Sequence, residues 1–227
     1  MSAHLRPTAP IASDALLPGD PGRALALAQA LLSDPRMANH NRGLWGYTGT
    51  TPSGRALTIQ STGIGGPSGA IVLEELSGLG VGRAVRIGTC RSLDGELELG
   101  QLVTVGQALS DDGASRALGA EPVATPDPAL HAALGRADGG AAEATVASTD
   151  LFYHPHEDRR RAEWLAAGAT AVELGTAALF AVARRRGVAI ASCLVVGESA
   201  EGERLDDGGL EHASLRAGKL AAEALAA

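Results

Sequence analysis

The sequence predicts an α/β fold: one domain over residues 1–227, built on a mainly parallel sheet flanked by helices. Three observations predict it. Strand-like and helix-like patterns alternate almost from the first residues. Apolar residues make up 45% of the chain but aromatics only 3%, so Ala, Val, Leu and Ile build the core, as in helices packed on a buried parallel sheet. The 227 residues carry no internal repeat and no linker-like change of composition, and they suffice for one sizeable core.

Each element has its own signal. Asp20-Pro21 opens a helix, because Asp caps free amides and Pro needs no amide partner at the first position. Ala24 to Leu32 continues it. Arg55 to Thr62 reads as a strand running into a glycine-rich turn. Ser68 to Leu79 is the helix behind that turn, with Ser68 as its cap and Gly80 as its stop. Ala84 to Gly88 and Leu102 to Ala108 are buried strands. From Asp111 to about Gly140 the chain is rich in Gly, Asp, Ala and Pro and is expected to run mostly in loops. Strands resume at Ala144–Ser148 and Thr170–Leu174. Ala177–Arg186 forms a helix capped by Gly187, Val188–Val196 a long buried strand, and an Ala/Leu helix follows from Gly209.

A net charge of −7 gives no global positive field for nucleic acid. The basic triplets Arg159–Arg161 and Arg184–Arg186 lie in helix-like stretches and read as solvated faces. Cys90 and Cys193 show neither a disulfide framework nor metal-ligand spacing, which predicts a reduced, cytoplasmic protein. The segment Met1–Arg6 lacks the apolar stretch of a signal peptide, and no run approaches the ~20 apolar residues of a membrane span.

Three segments carry candidate chemistry. In Leu17-Pro-Gly-Asp-Pro-Gly-Arg23, a glycine precedes a helix start whose free N–H groups favour an anion, with Arg23 one turn in. Thr62-Gly-Ile-Gly-Gly-Pro-Ser-Gly-Ala-Ile71 lets a ligand approach the backbone, yet fits neither dinucleotide nor P-loop spacing. In Val85-Arg-Ile-Gly-Thr-Cys90, Arg86 interrupts an apolar strand, which is costly unless it is paired or binds an anion. Thr89 lies at the C-terminal end of that strand, where open α/β sheets hold their ligands.

Together with Asn41-Arg42-Gly43, Gly46-Tyr-Thr-Gly49, Ser148-Thr-Asp-Leu-Phe-Tyr153 and Val172-Glu-Leu174, these segments resemble the nucleoside phosphorylase family of hexameric purine nucleoside phosphorylase and uridine phosphorylase. The resemblance runs from about His4 to Glu198 and implies a twisted mixed sheet flanked by helices. It implies phosphorolysis of a nucleoside, purine preferred, to free base and pentose 1-phosphate. No metal or other cofactor is implied, inorganic phosphate being the co-substrate. A dimer-based homo-oligomer, usually a hexamer, would share its active sites between subunits. Carried over position by position, Gly19, Arg23, Arg86 and Thr89 match the phosphate site, and Arg42 the arginine reaching phosphate from the neighbouring subunit. His4 matches the neighbour's histidine near the 5′-hydroxyl, Phe152 an aromatic against the base, and Glu173 and Leu174 positions lining ribose and base.

Three positions depart from the family pattern. A second carboxylate usually follows the first by two residues and holds the ribose hydroxyls, but here that place is Gly175. Arg91, next to Cys90, stands where glycine is common and adds bulk and charge beside the nucleoside. Glu198 takes the place of an aspartate as the acid on the base side. Ser110-Asp-Asp-Gly-Ala-Ser115 is similar to uridine phosphorylases, whereas the residues that read uracil there are His156 and Asp158 here. Two further readings stay open at this point: a diverged homologue that only binds a nucleoside-like ligand, and a hydrolytic nucleosidase. The latter predicts loss of the phosphate arginines, all of which are present.

Overall fold

The computed structural model describes residues 2–137 and 141–227; Met1 and 138–140, the end of the stretch expected as loop, lie outside it. The chain begins with β1 (Asp14–Pro18), α1 (Pro21–Leu31) and β2 (Arg36–Asn39). A single 3-10 turn at Asn41–Gly43 leads to β3 (Gly46–Thr50), β4 (Ala56–Gln60) and α2 (Gly65–Gly78). Then come β5 (Arg83–Ser92), β6 (Leu102–Ser110), α3 (Gly113–Ala117), β7 (Val123–Ala124) and α4 (Pro128–Arg136). The remainder is β8 (Ala142–Ser148), α5 (Glu157–Ala166), β9 (Ala171–Glu173), α6 (Thr176–Arg186), β10 (Ala189–Glu198) and α7 (Asp207–Ala226).

The strands join in one sheet ordered β10-β6-β8-β9-β5-β1-β4-β3-β2, with β7 on β6. An added pairing of β10 with β5 closes five of them into a ring. Five of the ten pairings among the described residues are parallel and five antiparallel, so the sheet is mixed more evenly than its apolar runs suggest. Closure protects backbone edges that an open sheet would expose. One apolar core joins α2 and α6 to the sheet through Leu73, Leu76 and Leu179. The second joins α1, α4 and α7 through Leu27, Leu134 and Leu220. Among the described residues no helix is long and apolar enough to cross a membrane.

The local signals mostly act as written. Asp20 accepts from the Arg23 amide at 2.8 Å and Pro21 opens α1. Gly187, with φ 67°, ends α6 in the left-handed conformation. The stretch expected as loop instead holds α3, β7 and α4. Asp112 and Asp127 cap the two helices, Pro128 starts the second, and Leu130, Ala133 and Leu134 bury one face of it. Ser68 does not cap α2, which begins three residues earlier at Gly65; its hydroxyl donates to the Thr62 carbonyl at 2.6 Å.

Candidate active site

The C-terminal ends of β1, β4, β5 and β10 lie along one edge because these strands run parallel. Amides of Thr62 and Gly63 donate to the carbonyls of Pro18 and Gly19 at 2.8 and 3.0 Å, which brings the first two glycine motifs together. Arg86 stands in the middle strand and is buried. A Cβ at Gly88 would lie 3.2 Å from its Nε, so glycine there leaves room for the guanidinium along the strand. Arg23 reaches the same place from α1, its Nη2 3.6 Å from where a Cβ on Gly19 would sit.

Electrostatics then point to an anion. The Arg23 guanidinium is held below the usual arginine range, chiefly by burial; Asp20 opposes this and the charge of Arg86 adds to it. Both groups keep a buried nitrogen without a partner, Nη1 of Arg23 and Nε of Arg86. A buried donor left unmet costs about 1–3 kcal/mol, more when charged. Two neighbouring cations with spare donors beside two glycines give an arrangement able to hold an oxyanion. Thr89 lies farther along the same strand, half-buried against Gly197.

Arg86 is aimed by Glu173. Because β9 runs antiparallel to β5, Glu173 comes level with the end of that strand, and its Oε2 accepts from Arg86 Nη2 at 2.9 Å. The Gly175 amide reaches the same oxygen at 2.8 Å. The other oxygen takes the Ser148 hydroxyl and the Thr176 amide. An ionised carboxylate has about four acceptor positions, and all four are filled here. Expected to line the ribose, Glu173 instead offers a sugar nothing unless it releases Arg86 or its backbone partners.

Gly175 is not an empty place where a carboxylate has been lost. A Cβ there would lie 2.9 Å from the amide nitrogen and 3.2 Å from the Cα of Gly66. Backbone from the start of α2 fills the space, and no side chain fits without moving it.

The side that the resemblance assigns to the base holds a charged cluster. Glu198 accepts from Arg204 Nε at 2.9 Å and lies 3.7 Å from Arg91, which also pairs closely with Glu157 at the start of α5. The positive charge expected from Arg91 is thus neutralised by two carboxylates. Arg204 also lies over the ring of Phe152, 5.7 Å from its centre, so an exposed aromatic and the candidate acid share one partner. Leu174 is half-buried, and its carbonyl packs near Gly65. Cys90 is buried in the core, where its thiol donates to the Val195 carbonyl at 3.7 Å and burial drives its acidity far down.

His4 is half-buried, and the segment that carries Arg42 is tied to it through Asn41. Asn41 donates to the His4 carbonyl at 2.7 Å. Arg42, exposed, is the one non-glycine described residue with positive φ, 59°. Sequence reasoning missed Ser148, Thr176, Arg204 and Glu157 as partners of the site. Ser148 had a usable signal, a polar residue ending a buried strand; the others act through contacts that no local pattern encodes.

Comparison with known proteins decides the family, since the signature of the phosphorylase superfamily matches residues 14–227. The chain belongs to that superfamily. A guanosine phosphorylase from Halorubrum lacusprofundi is 37% identical over 196 residues, covering 84% of this chain and 80% of the relative. A DeoD-type purine nucleoside phosphorylase from Caldanaerobacter subterraneus subsp. tengcongensis is 34% identical over 197 residues, covering 83% and 84%. The crystal structure of uridine phosphorylase from Vibrio fischeri ES114 superposes with a TM-score of 0.87 at 26% identity, covering 95% of this chain and 92% of that one. The protein is accordingly a nucleoside phosphorylase family enzyme, a pentosyltransferase, and the mixed α/β fold expected from the resemblance is the one observed.

Proposed function

We propose that the protein splits a purine nucleoside with inorganic phosphate, giving free base and pentose 1-phosphate. The observation that carries this reading is the pair of neighbouring arginines, half-buried Arg23 and buried Arg86, each with a buried, unpartnered nitrogen beside Gly19 and Gly88. Phosphate held there attacks C1′ as the glycosidic bond loosens: an oxygen–carbon bond forms, the carbon–nitrogen bond breaks, and the base leaves with that electron pair. Glu198 hydrogen-bonds or protonates the departing base, and Phe152 packs on it. Catalysis comes mainly from positioning the anion under the sugar and from electrostatic stabilisation. A purine is favoured by the names of the two sequence relatives.

A dimer-based homo-oligomer, a hexamer by family resemblance, fits the half-buried His4 and the exposed Arg42, which then serve a neighbour's site. Met37 and Trp45, flanking Arg42 in sequence, leave apolar side chains exposed on the same segment. Residence in the cytoplasm is the matching expectation for a reduced protein with two free thiols.

A second reading is supported by one observation: Glu173 is saturated and position 175 is filled by backbone, so the usual carboxylate grip on the sugar is absent. On that reading the protein binds a phosphate-bearing nucleoside-like ligand without turning it over. Base release from a nucleoside panel, with and without phosphate, tests both. Phosphate-dependent release supports the enzyme, phosphate-independent release indicates hydrolysis, and no release with retained ligand binding supports the second reading.

A further inference from the structure

His4 is held in place by its own backbone and ring contacts. Three successive amides, of Ala3, His4 and Leu5, wrap the carboxylate of Glu75 on α2 at 2.9, 3.0 and 2.6 Å. Such a run of N–H groups is an anion-binding nest. Leu5 is buried in the core beneath it, and Asn39 and Asn41 hold the flanking backbone at Arg6 and His4. The same carboxylate meets the imidazole: Glu75 Oε1 lies 2.8 Å from His4 Nδ1.

The geometry points to Glu75 as the positioning residue for His4, fixing both its place and its tautomer so that it receives a substrate hydroxyl. An ionised carboxylate only accepts hydrogen bonds. The neutral ring therefore carries its hydrogen on Nδ1, which leaves Nε2 with a lone pair. Nε2 has no partner among the described residues, and the side chain stays 34% exposed. It is thus an acceptor aimed outward, suited to a hydroxyl donor such as that of a sugar. Arg42 follows Asn41, whose side chain holds the His4 carbonyl, and supplies a cation for the anion that accompanies the sugar. The substrate part of this inference rests on the reading that His4 serves a nucleoside bound in a neighbouring copy; the tautomer does not.

Solid-state NMR of the full-length protein with ring 15N label in its six histidines tests the tautomer, His4 being assigned by difference with His4→Gln. Above the ring's titration range, the expected spectrum shows a protonated Nδ1 and an unprotonated Nε2. Hydrogen on Nε2 in the unsubstituted protein overturns the inference, whatever any variant does. In Glu75→Gln the amide nitrogen can donate to the ring, so the hydrogen is expected to move to Nε2. A hydroxyl can still accept from Nε2–H, so the cost comes from the loosened hold on the ring: the KM for nucleoside should rise about tenfold, with the KM for phosphate unchanged. An equal rise in both constants, or in neither, assigns Glu75 a merely structural role and refutes the proposal. Absence of phosphate-dependent base release in the unsubstituted protein refutes the proposed function instead, and leaves the tautomer to be judged by its own spectrum.

Discussion

Replacing Arg86 with Met separates the two tasks this side chain performs. Arg86 donates to Glu173, whose side chain is fully buried, and also carries an unpartnered nitrogen at the proposed anion site. Breaking a buried ion pair from one side costs about 3–5 kcal/mol, because the remaining charge stays uncompensated. Glu173 keeps three other donors, Ser148 and the amides of Gly175 and Thr176, so the lower end of that range applies. For a chain of this length 1 kcal/mol shifts the melting temperature by about 2–4 °C, which predicts a fall of roughly 10 °C. Loss of one charge-assisted contact at about 1.5–3 kcal/mol weakens phosphate binding by about one to two orders of magnitude. Pairing the change with Glu173→Leu removes the orphaned charge. Stability should then recover in thermal denaturation while phosphate affinity, followed by calorimetry or by the KM for phosphate, stays lost. Retained phosphate affinity in either variant would show that the proposed site is not where the anion binds.

Other outcomes follow from single contacts. Gly175→Ala is expected to destabilise by about 1–3 kcal/mol, because a Cβ meets the backbone of Gly66, and Gly175→Glu should bring no gain in nucleoside affinity; melting curves and ligand titrations check both. Burial pushes the Glu75 carboxyl up, but hydrogen bonds from Leu5, the His4 ring and amide, and Ala3 outweigh it and bring the group down to about 2. Its contribution to docking the first residues is therefore fully present above the ordinary carboxylate range and lost as pH falls through about 2. Hydrogen exchange at residues 3–5 should show this loss, and Glu75→Gln should remove the pH dependence. The Cys193 thiol, pushed up to about 12 by burial, and Cys90, driven higher by the same cause, should resist alkylation at pH 8 in the folded protein and react once it is unfolded.

Much of the architecture was legible in the chain because its signals are local. Asp20-Pro21, Gly187 and the apolar runs at residues 84–88 and 188–196 encode caps and buried strands through backbone chemistry that acts within a few residues. The same chemistry was present at Asp112, Asp127 and Pro128, where abundant Gly and Ala obscured two helices. The candidate anion site was legible too, since an arginine in an apolar strand demands a partner wherever it is found.

By itself, then, the sequence determined the alternating α/β order, the family motifs and the cationic character of the site at Arg23 and Arg86. Only the tertiary structure decided what the carboxylates do. Glu173 turned out to be spent on Arg86, Ser148 and two amides, and Arg91 to be neutralised by Glu157 and Glu198. Gly175 proved to be filled by backbone from α2, and His4 to be held by a carboxylate 71 residues away. These outcomes depend on distances between segments remote in sequence. A residue's type says which bonds it is able to make, while the packing of the sheet and its helices selects which partner it meets.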